Sequence, residues 1–69
     1  MEIKANAPGK IEDIHVSVGD SITKDKPIVT LESMKVEQTI NAPISGVIKE
    51  INVSVGDFVE KDQLLIVME

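Results

Sequence analysis

The sequence predicts an all-β chain, about eight short strands folded as a compact sandwich or flattened barrel with twofold pseudo-symmetry. Three observations carry this. First, the chain repeats itself: Gly9–Glu32 laid over Gly46–Glu69 brings Gly9/Gly46, Ile11/Ile48, Ile14/Ile51, Val16/Val53, Ser17/Ser54, Val18/Val55, Gly19/Gly56, Asp20/Asp57, Lys24/Lys61, Asp25/Asp62 and Glu32/Glu69 into register. A duplication this regular is one supersecondary unit used twice around a shared core. Second, Ile14-His15-Val16-Ser17-Val18 and Ile51-Asn52-Val53-Ser54-Val55 alternate apolar and polar residues, the period of a strand with one buried face. Third, β-branched residues dominate, turn signals recur and no stretch holds helical spacing, so helix content should be close to none.

The elements follow in order. Ala7-Pro8 and Ala42-Pro43 mark the start of each copy. The alternating strands stop at Gly19-Asp20 and Gly56-Asp57, where glycine can take the positive φ of a tight turn. A short apolar segment comes next, Ile22 in one copy and Phe58-Val59 in the other. A charged corner follows, Lys24-Asp25-Lys26 or Lys61-Asp62-Gln63. A second strand then climbs through Pro27–Leu31 and Leu64–Met68. The central stretch, Pro27–Ile40, is too long for one strand. It must break, yet no Gly, Pro, Asn or Asp lies between Ile28 and Ile40. The least strand-like tetrad is Ser33-Met34-Lys35-Val36, which predicts a hairpin with Met34 and Lys35 at its tip. Two-residue hairpin turns favour Asn-Gly or Asp-Gly, because the tip residues take positive φ. Met-Lys is a poor choice for turning, and a locally wrong residue is where function tends to be stored.

Composition narrows the function. A chain of 69 residues is one domain, 1–69, near the low end of what folds unaided. It has no cysteine and one histidine, and its carboxylates show no clustered ligand spacing, so no metal site is expected. A net charge of -5 argues against nucleic acid as a partner, since phosphate binding needs clustered Lys and Arg. The single aromatic, Phe58, offers no platform for stacked bases. No stretch has the length of a membrane span and the N-terminus lacks a secretory pattern, so the expected location is cytoplasmic, without membrane insertion. A domain this small has little room for a pocket of its own, which weighs against a stand-alone enzyme.

Lys35 belongs to neither copy but to the seam between them. A symmetric scaffold with one unpaired lysine at its seam suggests that the lysine is what is presented. At these residues the chain resembles the biotinyl/lipoyl attachment domain family, and within it the biotin carboxyl carrier domains. The resemblance covers essentially the whole chain. It rests on the duplicated Gly…Val-Gly-Asp pattern, the Met34-Lys35 pair, and Ile40-Asn41-Ala42-Pro43-Ile44-Ser45-Gly46 downstream. It implies a flattened barrel (a barrel-sandwich hybrid) of two antiparallel sheets, with Lys35 as the biotin attachment residue at a hairpin tip. The family's usual tetrad is Ala-Met-Lys-Met. Here Ser33 and Val36 occupy the outer positions, and Met34 and Val36 are the residues a ligase would read. Lipoyl domains usually carry Asp-Lys-Ala around their lysine, and neither neighbour is present. Gly9 to Gly19 spans the same length as Gly46 to Gly56, leaving no room for the protruding thumb of some acetyl-CoA carboxylase carriers. The chain is more similar to the thumbless carriers of pyruvate carboxylase, transcarboxylase and the decarboxylase complexes.

The resemblance implies covalently attached biotin as cofactor and a biotin protein ligase as one partner. Biotin carboxylase and carboxyltransferase (or decarboxylase) subunits or domains would be the others, and the chain would be their carrier, not a catalyst. A lysine amine is almost wholly protonated at neutral pH, so the ligase must bring an activated acyl group such as biotinyl-adenylate. Two other readings use the same scaffold: a lipoyl carrier for acyl transfer, and an unmodified structural or interaction module. Met34 has two readings, a core gap-filler or a ligase contact. His15 points outward by the strand alternation and is read as a solvated strand residue. Gly19, Gly56, Asp20 and Asp57 are read as turn formers, not ligands.

Overall fold

The computed structural model describes all 69 residues. It contains eight strands and no helix: β1 Glu2–Lys4, β2 Gly9–Ile14, β3 Ser21–Ile22, β4 Pro27–Ser33, β5 Val36–Asn41, β6 Gly46–Ile51, β7 Phe58–Val59 and β8 Leu64–Met68. They form two four-stranded antiparallel sheets, ordered β1-β8-β6-β3 and β5-β4-β2-β7. The repeat carries β2 onto β6, β3 onto β7 and β4 onto β8, so it exchanges the sheets. Each sheet therefore mixes strands from both copies, and neither copy can close a sheet alone. No helix is long and apolar enough to cross a membrane.

The core obeys the same pairing. Of its 15 buried residues, all but Ile3 fall into repeat-related pairs: Ala5/Ala42, Ile11/Ile48, Val16/Val53, Ile22/Val59, Ile28/Leu65, Val29/Ile66 and Leu31/Met68. Ile3 is matched by Ile40, half-buried and packed against the cluster. No polar or charged residue is buried. The core is thus purely aliphatic, and burial of this surface is the main force holding the sheets together.

The turns repeat in the same way. Gly19 and Gly56 have φ of 95° and 96°. The N–H of each donates to the opposite copy, Gly19 to the Ile48 carbonyl and Gly56 to the Ile11 carbonyl, both at 2.8 Å. Within each turn an aspartate accepts from a backbone N–H three residues back, Asp20 from Ser17 at 2.8 Å and Asp57 from Ser54 at 2.9 Å. These residues are turn formers, as expected.

Two expectations about strands are corrected. The alternating runs Ile14–Val18 and Ile51–Val55 are not strands; β2 and β6 end at Ile14 and Ile51. The apolar alternation runs past each strand end into the turn. Val16 and Val53 still reach the core at 7% exposure each, but Val18 and Val55 are 62% and 61% exposed. His15 is accordingly exposed but lies just beyond β2 rather than in a strand. The predicted break in the central stretch falls where expected, with β4 ending at Ser33 and β5 starting at Val36.

The molecule is elongated, 31 × 19 × 17 Å. At one end β1 pairs with β8, and the Met1 ammonium donates to the Met68 carbonyl at 2.8 Å. At the other, the β4–β5 hairpin extends past Lys10, which pairs with Glu32. Strand β2 leaves the hairpin end at Gly9, and its continuation arrives at Gly19, bonded to Ile48, whose strand partner is Met68. A whole strand and its extension therefore separate Lys35 from the termini.

Candidate functional site: the Met34-Lys35 hairpin tip

From Val29 with Ile40 onward the ladder between β4 and β5 stays in register to its last pair, Ser33 with Val36, leaving a two-residue tip. Met34 has φ of 52° and Lys35 of 65°. Positive φ at both central residues is the primed turn that matches strand twist in tight hairpins. The left-handed region costs an L-residue with a Cβ about 1–2 kcal/mol. Glycine or asparagine would largely avoid that cost, so the tip is locally strained by the residues it carries.

The tip is also stripped of contacts. Met34 is 93% exposed and Val36 57% exposed, and Lys35 is exposed between them. The gap-filling reading of Met34 is thereby overturned: at the end of a hairpin that overshoots the core, its side chain has nothing to fill. None of the chain's ion pairs involves Lys35. The nearest carboxylates in the ladder are Glu32 and Glu37, facing each other one pair below Ser33 and Val36. No general base stands within bonding distance of the Lys35 amine, and no concave pocket opens beside it. The arrangement can present a primary amine and do little else chemically.

His15 makes a separate cluster, its Nε2 2.8 Å from Thr30 Oγ1 and its Nδ1 3.7 Å from Asp13 Oδ2. It lies exposed and away from the tip, among residues of the middle of the sheet. Nowhere do three or more His, Asp or Glu side chains converge as metal ligands would.

One residue near the tip was not singled out by sequence reasoning. Phe58, on the edge strand β7, is 81% exposed. It pairs with Lys10, Lys10 with Glu32, and Glu32 with Glu37. Directly opposed residues share a face of the sheet, so the four make one outward row beneath the hairpin tip. The signal was present in the repeat, which sets Phe58 against Ser21. An aromatic where the other copy has serine is a departure from the scaffold's own pattern.

Lys35 is thus an exposed lysine on a strained tip between two copies of one unit, and comparison with known proteins gives the family to which this scaffold belongs. Residues 1–68 match the biotin/lipoyl family model described as "Biotin-requiring enzyme", so the chain belongs to that family, as a carrier domain rather than a catalyst. Over 37 residues it is 51% identical to the mitochondrial methylcrotonoyl-CoA carboxylase subunit alpha of Dictyostelium discoideum, covering 54% of this chain and 5% of that protein. Over 41 residues it is 42% identical to pyruvate carboxylase of Staphylococcus aureus, covering 59% and 4%. Among solved structures, the lipoyl domain of the 2-oxoglutarate dehydrogenase complex from Azotobacter vinelandii superposes with a TM-score of 0.87 at 32% identity, over 100% of this chain and 95% of that one. The chain thus spans only a small fraction of the carboxylases it resembles, and essentially the whole of the lipoyl domain.

Proposed function

We propose that this chain is a biotin carboxyl carrier domain whose Lys35 is acylated by a biotin protein ligase. The observation that carries the reading is the exposed Lys35 at a two-residue tip of positive φ, in a chain whose family is that of biotin-requiring enzymes. The residues present fit the group. The amine is open on all sides for amide formation, and Met34 and Val36 offer a ligase two exposed apolar side chains on either side of it.

In the attachment step the deprotonated Lys35 Nζ attacks the acyl carbon of an activated biotin carboxyl, such as biotinyl-adenylate. The C–N bond forms, the C–O bond to phosphate breaks, AMP leaves, and the amine's remaining surplus proton passes to the ligase or solvent. The resulting amide removes the lysine's charge. The domain lacks a base of its own, so both activation and proton acceptance fall to the partner. Biotin, when bound, supplies a ureido nitrogen that carries a carboxyl group. This chain's contribution is to hold the attachment point rigidly at the end away from Met1 and Glu69, where neighbouring polypeptide would not obstruct it. Tethering makes each encounter with a loading site or an accepting site effectively intramolecular, at mM effective concentration for short flexible links. Those sites belong to biotin carboxylase and to carboxyltransferase or decarboxylase partners. The identity to methylcrotonoyl-CoA and pyruvate carboxylases supports them as the partner class.

The test is intact mass after incubation with ligase, ATP and biotin. The wild-type domain should gain one biotinyl group, Lys35→Ala should gain none, and Lys24→Ala and Lys61→Ala should label normally. Thermal unfolding of Lys35→Ala should stay within about 0.5 kcal/mol of wild type, as for an exposed site. Labelling that survives Lys35→Ala would place attachment elsewhere. Uptake of a lipoyl group in place of biotin, in the matching lipoylation assay, would favour the carrier of the other chemistry.

A further inference from the structure

We infer that Phe58 is a resting dock for the biotinyl ring that Lys35 would carry, an inference that rests on the attachment reading above. Four observations converge on it. Phe58 is the chain's one aromatic residue, and it is 81% exposed on an edge strand. It shares an outward row with Lys10, Glu32 and Glu37, immediately beneath the tip. Its repeat equivalent is Ser21, which occupies the same place in β3 at the opposite end, so the fold does not require an aromatic there. Finally, it lies within reach.

The reach follows from strand spacing. Strands are about 4.8 Å apart, so the midline between β4 and β5 stands roughly 12 Å to the side of β7. Lys35 is two residues beyond Glu37, or about 7 Å further along. The diagonal between the two Cα atoms is therefore roughly 14 Å. An arm of lysine side chain plus biotinyl chain spans roughly 14 Å from Cα to the ureido ring. The phenyl ring, projecting outward from its own Cα, shortens the gap further.

The chemistry is complementary. The bicyclic head of biotin presents an apolar face and a thioether sulfur, and both thioethers and apolar groups pack favourably on aromatic rings. Lys10, between Phe58 and Glu32 in the row, places an ammonium donor beside the position the ureido carbonyl would take. A docked head would be shielded from water between visits to partner sites and released when a partner's pocket binds it more tightly.

The experiment is proton NMR on the biotinylated domain. Intact mass is taken first: a domain that does not accept biotin on Lys35 refutes the attachment reading itself. On the labelled domain, the bridgehead and ureido protons should move upfield of free biotinyl-lysine and show cross-relaxation to the Phe58 ring. In Phe58→Ser, which copies the residue at the equivalent position, those protons should return to the free biotinyl-lysine positions while the core amide spectrum is retained. Head-group protons at free positions in the wild-type domain, with no cross-relaxation to Phe58, would overturn the dock and leave attachment standing. So would a Phe58→Ser domain that slowed ligation or carboxylation while wild type showed no ring contact, since Phe58 would then be meeting a protein partner. The wild-type comparison needs no variant, so it decides the question even if Phe58→Ser fails to fold.

Discussion

Three kinds of tight turn occur in this molecule, and the hairpin tip treats their shared backbone problem in the opposite way from the other two. At Gly19 and Gly56 the chain needs φ of 95° and 96° and uses the residue that adopts it at least steric cost. Asp25 and Asp62, at 75° and 69°, use a residue type that tolerates the left-handed region through local hydrogen bonding. The hairpin tip needs positive φ twice and uses Met34 and Lys35, neither suited to it. The first two kinds of turn recur in both copies and serve the fold. The tip occurs once, contributes nothing to the core, and holds residues that make the fold slightly worse. The proposed attachment at Lys35 accounts for that composition.

Substitutions at the tip and at the glycine turns should have crossed effects, the largest of them on labelling. Lys35→Gly should abolish biotinylation entirely while raising stability by about 1 kcal/mol, because glycine relieves the left-handed strain. Gly56→Ala should do the reverse, lowering stability by about 1–2 kcal/mol with labelling intact. Chemical denaturation and a ligase assay on the two variants test both halves. A destabilised Lys35→Gly domain would show that the tip is part of the fold after all. By the repeat, Gly19→Ala should cost the same as Gly56→Ala to within about 0.5 kcal/mol, and a large inequality would mean that the two copies carry unequal loads.

Smaller effects probe the neighbours of the lysine. Met34→Asn suits the turn and should stabilise by about 0.5–1 kcal/mol, yet slow ligation if the exposed methionine is what a ligase reads. Met34→Ala should slow ligation as well, with little change in stability because the side chain is 93% exposed. Val36→Met restores the family's usual residue and should leave the ligation rate unchanged or raise it. A slower Val36→Met domain would mean that the cognate ligase is adapted to valine.

Much of this was readable in the residues. The in-register glycines, valines and aspartates announced a two-copy all-β fold. The absence of any turn former between Ile28 and Ile40 located the hairpin by its wrongness. What misled was apolar alternation at the strand ends: Val18 and Val55 keep the period but sit in turns, because alternation reports extended backbone and not pairing. The interleaving of copies between sheets was not visible, since repeats give equivalence but not partners. Met34 could be placed at the tip but not declared solvent-exposed, because its exposure depends on how far the hairpin overshoots the core. Phe58 reads in the sequence only as part of a short apolar segment; its pairing with Lys10 in β7 is what sets it on the outward face.

On the proposed reading Lys35, alone among the seven lysines, carries biotin. Peptide-level mass spectrometry of the protein purified from its native host tests it most directly. A biotinyl increment is expected on the peptide containing Lys35 and on no other. A lipoyl increment there, a biotinyl increment on another lysine, or an unmodified Lys35 in cells replete with biotin would contradict it.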